Sequence, residues 1–128
     1  MSTLISIMEI GGYPDFAPVY REMGYELVSV KSVRKALSNM KKRSPAVLVA
    51  EFNFQSDFRD RTSSLESILA TIQGQHPGCK VIVLYEQEVE HAFARLQEHY
   101  HIDAALSFPV TMDNMRCALQ QLQINSPA

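Results

Sequence analysis

Short apolar runs alternate with helical patterns along almost the whole of this chain. Leu4–Ile10 reads as a first strand, closed by Gly11-Gly12. Phe16, Val19, Tyr20 and Met23 then follow the i, i+3, i+4, i+7 spacing of one helix face, opening at Pro14 or Asp15 and stopping at Gly24. Pro18 falls in the first turn, where its missing N–H has no intrahelical partner to lose. Tyr25–Val30 predicts a second strand, and Ser32 caps a second helix that turns Val33, Ala36, Leu37 and Met40 inward. After Pro45, Ala46–Phe52 predicts the third strand. A polar stretch, Gln55 to Thr62, leads to Ser63 and Glu66, spaced as a reciprocal capping box, with Leu65, Ile68, Leu69 and Ile72 as the buried stripe behind it. His76-Pro77-Gly78 breaks the chain before a fourth strand, Lys80–Tyr85. Val89, Phe93 and Leu96 mark a fourth helix across Glu88–Tyr100, and Ala104–Phe108 is a fifth strand. Met112, Met115, Leu119 and Leu122 mark a fifth helix around Asp113–Gln121.

Five strands alternating with five helices predict an α/β fold with a doubly wound parallel sheet covered on both faces. The runs Val47–Ala50 and Val81–Tyr85 suit central strands buried on both sides. At 128 residues the chain fits one domain, 1–123, followed by a flexible tail, 124–128.

A net charge of −2 offers no electrostatic reason for nucleic acid or an anionic membrane as a direct partner. The tightest basic cluster, Lys41-Lys42-Arg43, sits where a helix ends and complements its dipole. Cys79 and Cys117 are far apart, with no CxxC, and read as free, small, buried thiols of a reducing cytosol. The first residues lack a basic segment followed by an apolar one, and no window reaches the ~18 apolar residues of a membrane span. The expectation is a cytoplasmic protein.

In an open parallel sheet, ligands and chemistry gather beyond the carboxyl ends of the strands. That rule selects Met8-Glu9-Ile10, Glu51-Phe52-Asn53, Tyr85-Glu86 and Ser107-Phe108-Pro109. The abrupt carboxylate closing the apolar run at Glu51 belongs to this set.

These strand ends, over residues 3 to about 123, resemble the receiver domain of bacterial response regulators. Such domains typically read PDLVLLDxxMP around the third strand, where this chain reads Pro45-Ala46-Val47-Leu48-Val49-Ala50-Glu51-Phe52-Asn53-Phe54-Gln55. The resemblance implies a flavodoxin-like (βα)5 fold of three α/β/α layers. It places the phosphoacceptor aspartate on Glu51 and the acidic metal pair on Met8 and Glu9. The Ser/Thr that contacts phosphate falls on Tyr85, the Lys-Pro on Phe108-Pro109 beside Ser107, and the aromatic switch on Ala105.

Four of these positions depart from the chemistry. Receiver phosphorylation needs an aspartate nucleophile, Mg²⁺ held by several oxygens, and a lysine that neutralises transition-state charge. Glu51 is one methylene too long, and a misplacement of about an ångström can cost ~10²-fold in rate. Met8 removes a metal carboxylate, Phe108 supplies no charge, and Tyr85 fills the space of a hydroxyl. The expectation is therefore a degenerate, or pseudo-, receiver: no Mg²⁺-dependent phosphorylation, no cofactor, no catalysis, and a role as a protein-interaction module in bacterial signal transduction or transcription control. Two rivals stay open: a receiver that accepts phosphate on Glu51 or Asp57, and a small-ligand binder of flavodoxin-like architecture. Glu51 itself has three readings: a mimic of aspartyl phosphate, a weak metal ligand with Glu9, or a partly hydrated strand-end carboxylate bonded to a loop amide or to Tyr85.

Family members often dimerise through the face built from helix 4, strand 5 and helix 5, which here would present Arg95, Gln97, Glu98, Arg116, Gln120 and Gln121. The segment Phe54–Thr62 carries Phe54 and Phe58 among charges, either as a flap for a partner or as a loop tucked back on the domain. His99, His101 and Asp103 have metal-ligand chemistry but read as a solvated turn, and Met112 and Met115 read as core. Gly11-Gly12 lacks the spacing of a dinucleotide loop.

Overall fold

The structure, a computed structural model, describes residues 2–7, 16–42, 44–51, 65–76, 78–108 and 110–125. Along them strands and helices alternate: β1 (Ser2–Ile7), α1 (Ala17–Glu22), β2 (Tyr25–Val30), α2 (Val33–Met40), β3 (Val47–Glu51) and α3 (Leu65–Gln75). After these come β4 (Lys80–Tyr85), α4 (Glu90–His99, entered through a 3₁₀ turn at Gln87–Val89), β5 (Ala104–Ser107) and α5 (Met112–Asn125). The expected ends of β1, the Gly11-Gly12 stop, the Ser63/Glu66 box and the Phe54–Thr62 loop lie outside the described residues.

Local chemistry sets the boundaries. Pro18 sits in the first turn of α1. Gly24 leaves that helix with φ +91°, a left-handed conformation that a side chain would strain, and so turns the chain directly into β2. Ser32 Oγ accepts the Lys35 N–H at 3.2 Å and caps α2. At the start of α5, Asn114 N–H donates to Thr111 Oγ1 at 3.1 Å while Thr111 N–H donates to Asn114 Oδ1 at 3.2 Å. This is a capping box with asparagine in the place of Glu or Gln.

All strands are parallel, in the order β2-β1-β3-β4-β5, the doubly wound arrangement whose switch point lies between β1 and β3. Because side chains alternate along a strand, the sheet divides the interior in two. Leu48, Ala50, Val81 and Val83 face Ala36 and Met40 of α2, Ile68, Leu69 and Ile72 of α3, and Phe93 and Leu96 of α4. Val47, Val49, Ile82 and Leu84 face Val19 and Tyr20 of α1 and Met115, Leu119 and Leu122 of α5.

Three expectations need correction. Met112 is exposed rather than core, because it opens α5 ahead of the buried stripe that starts at Met115. Cys117 is exposed, lying off the Met115–Leu119–Leu122 stripe, whereas Cys79 is buried as expected. The fifth helix also runs on to Asn125, through residues assigned to a loose tail.

Candidate functional site

The register aligns the strand ends: Ile7 pairs with Ala50, Glu51 with Leu84, and Tyr85 with Ser107. Glu51 is 6% exposed, a buried carboxylate, which goes against the partly hydrated strand end among its three readings. By strand parity it follows Val47 and Val49 onto the α1/α5 side of the sheet.

Tyr85 goes the other way. Its ring stacks on Phe93 of α4, with centroids 4.4 Å apart and planes 18° from parallel. It packs with the α2–α4 side of the core, so the expected filling of the phosphate-contact space beside Glu51 gives way to a brace between β4 and α4. Ser107 is half-buried across from Tyr85, and Ala105 is exposed across from Val83. With alanine at 105 there is no ring on that side of β5 to swing inward.

Phe108 is 44% exposed, and its backbone N–H donates to the Tyr85 carbonyl at 2.8 Å, extending the β4–β5 ladder by one residue. The backbone at this position is thus held in place while its side chain carries no charge. Met8, Glu9, Asp57, Pro109, Phe54 and Phe58 lie outside the described residues.

No family model matches the sequence, and no curated protein does. Solved structures do. A receiver domain protein from Clostridium thermocellum superposes with TM-score 0.71 at 18% identity, covering 94% of this chain and 93% of its own. The BeF3-activated receiver domain of DrrB, a Thermotoga maritima response regulator, gives TM-score 0.78 at 13% identity, covering 98% and 99%.

The fold is that of a response-regulator receiver domain.

A Rhodopirellula baltica chain described as an adenylate cyclase shares the same architecture, with TM-score 0.69 at 13% identity over 94% of this chain and 85% of that one. Among the described residues of this receiver fold no helix is long and apolar enough to cross a membrane.

On the α4–β5–α5 side of the receiver fold, Arg95, Glu98 and Gln120 are exposed. Arg116 is turned away from them. Its Nε donates to Glu22 Oε2 of α1 at 2.7 Å and its Nη1 to Asp113 Oδ1 at 2.7 Å. The hydrogen bond to Glu22, more than any other contact, makes the guanidinium hold its proton more firmly than usual. Arg116 therefore ties α5 to α1, and a partner would have to compete with two carboxylates to engage it.

Sequence reasoning missed the role of Asp103. Its Oδ2 accepts the Val81 N–H at 2.8 Å, its Oδ1 pairs with His101 Nε2 at 3.0 Å, and its own N–H donates to the Val81 carbonyl at 3.0 Å. The side chain completes the backbone pairing at the start of β4 and β5. Among the described residues no three potential ligands gather around a metal position, and the Asp103 carboxylate is engaged in this clasp. An aspartate just ahead of an edge strand was the only signal.

Cys79 lies under the clasp. Burial, and secondly the negative charge of Asp103, push its thiol up to about 12, so it is a protonated packing group rather than a nucleophile.

Proposed function

We propose that this chain is a regulatory receiver module of bacterial signalling that acts through protein contacts, without phosphorylation and without catalysis. The observation that carries this reading is Phe108, an exposed apolar ring on a backbone pinned to Tyr85 where the resemblance places the lysine. Phosphoryl transfer depends on positive charge at the equatorial oxygens, and a phenyl ring provides none. Two further features support it: the longer carboxylate of Glu51, and the commitment of the Tyr85 ring to α4. With the Tyr85 ring held against Phe93 and alanine at 105, the inward swing that would relay phosphorylation to the α4–β5–α5 face has no moving parts. Glu51 then acts as a fixed carboxyl group within the domain, and the face carrying Arg95, Glu98, Ala105 and Gln120 is the contact surface, used for a homodimer or a signalling partner.

The test is incubation with acetyl phosphate and Mg²⁺, read by intact mass. No phosphoryl adduct is expected, and a stable adduct mapped to Glu51 or Asp57 would overturn the reading. Sedimentation of wild type and Glu51→Gln tests the role of this carboxyl group: equal association and partner binding in both would reduce Glu51 to a structural group.

A further inference from the structure

A groove of about 530 Å³ runs between α2 and α3, on the sheet face opposite to the one Glu51 takes. Arg34, Leu37, Ser38 and Lys41, spaced i, i+3, i+4, i+7, form its α2 wall, and Thr71 and Gln75 form the α3 wall. Among the described residues lining it, every polar side chain can donate a hydrogen bond and none is a carboxylate. At the mouth, His76 Nδ1 lies 2.9 Å from Ser44 Oγ, which fixes the imidazole there. The buried Met40 and half-buried Leu37 supply an apolar surface.

Arg34 and Lys41 are exposed, and among the described residues neither side chain has an ion pair or hydrogen bond. Lys31, Arg34, Lys35, Lys41, Lys42 and Arg43 are half of the chain's 12 lysines and arginines, and no acid occurs between Glu26 and Glu51. Complementing the dipole explains Lys41 and Lys42 but opposes Arg34 and Lys35, which occupy the positive end of α2 in a first turn without an acid. Helix stability alone would place carboxylates there. Two cations, Arg34 and Lys41, that find no counter-ion among the described residues beside a donor-lined groove call for an anion from outside the chain.

We infer that this groove binds a small, elongated phosphorylated molecule of the nucleotide class. Arg34 and Lys41 are seven positions apart, about 10 Å along the helix axis, so the two cations straddle an extended polyanion better than a single phosphate. The volume falls in the ~300–1,000 Å³ range of small-molecule sites, and the Leu37–Met40 surface offers a face for a base. The site is separate from the strand ends and holds whether or not Glu51 takes phosphate.

The test titrates the whole chain, in low salt, with ADP, inorganic pyrophosphate and a short DNA duplex, followed by calorimetry and by amide chemical shifts. ADP should bind with shifts at Arg34, Ser38, Thr71 and Gln75, and more tightly than pyrophosphate. Arg34→Gln with Lys41→Gln should weaken it at least about tenfold, as expected for two lost charge-assisted contacts. Lys35→Gln with Lys42→Gln, in the same basic segment but not among the groove's lining residues, should cost less than about threefold, since exposed charges off the site act only through a screened field. Absence of shifts, equal losses in the two double variants, or tighter binding of the duplex would overturn the site. Pyrophosphate binding as tightly as ADP would overturn the nucleotide assignment. All four substitutions are at exposed positions, and circular dichroism checks that each variant is folded.

Discussion

Replacing Phe93 by alanine tests the brace between β4 and α4. The ring is 2% exposed, belongs to the α2–α4 side of the core, and stacks on Tyr85. Truncating a fully buried phenylalanine costs ~3–5 kcal/mol, combining lost transfer energy with the cavity left behind. Of that, ~0.5–1.5 kcal/mol belongs to the aromatic pair itself. Against a typical stability of ~5–15 kcal/mol, Phe93→Ala should remove about a fifth or more. At this chain length the melting temperature should fall by about 10–20 °C. The assay is urea unfolding followed by far-UV circular dichroism, since the sequence has no tryptophan. A cycle of Phe93→Leu and Tyr85→Leu isolates the pair, with an expected coupling of ~0.5–1.5 kcal/mol. A loss within about 1 kcal/mol for Phe93→Ala would refute its burial. A coupling indistinguishable from zero would refute the stack and return the Tyr85 ring to the Glu51 side.

The two thiols should differ: near pH 8, a disulfide reagent should modify Cys117 promptly and Cys79 only on unfolding, because the thiolate is the reactive form. The folded state holds the Cys79 proton from the ordinary 9.0 up to about 12, so its contribution to stability is complete below pH 9 and is lost as pH rises. Urea unfolding should show a slope of up to ~1.4 kcal/mol per pH unit above pH 9, absent in Cys79→Ala. Asp103→Ala strands the N–H of buried Val81 and should cost ~1–3 kcal/mol while raising Cys79 reactivity; Asp103→Asn, which keeps an acceptor, should recover most of the stability. Ser32→Ala removes the α2 cap and should cost ~1 kcal/mol by the same urea assay.

Much of the architecture was legible because it rests on local signals. β2 and β4 fall on the residues predicted, since each apolar run follows a glycine-bearing turn at Gly24 or Gly78. Ser32 announced α2 for the same kind of reason. The end of α5 was not legible: Gln123 to Asn125 add no apolar repeat, so their helical state leaves no periodic trace. Cys117 was misjudged on composition when its offset from the Met115–Leu119 stripe already put it outside. Tyr85 was a similar case, because strand parity with Val81 and Val83 sends its ring toward α4. The burial of Glu51 and the clasp of Asp103 on Val81 depend on contacts between segments distant in sequence, and no local pattern encodes them.

The sheet that carries the strand ends also acts as an insulating wall. Leu69 and Leu119 are both almost fully buried, yet they pack in different interiors on opposite faces of the sheet. Substitutions at two such positions should therefore sum in free energy to within about 0.5 kcal/mol, as separated sites do. The consequence is historical as much as energetic. The α1/α5 flank and the α2–α4 flank can each exchange side-chain volume without compensation from the other, so a lineage can rebuild one side of this domain while the opposite side stands still. Only the strand residues answer to their own flank and to the shared ladder together, and they set the pace at which the whole can drift.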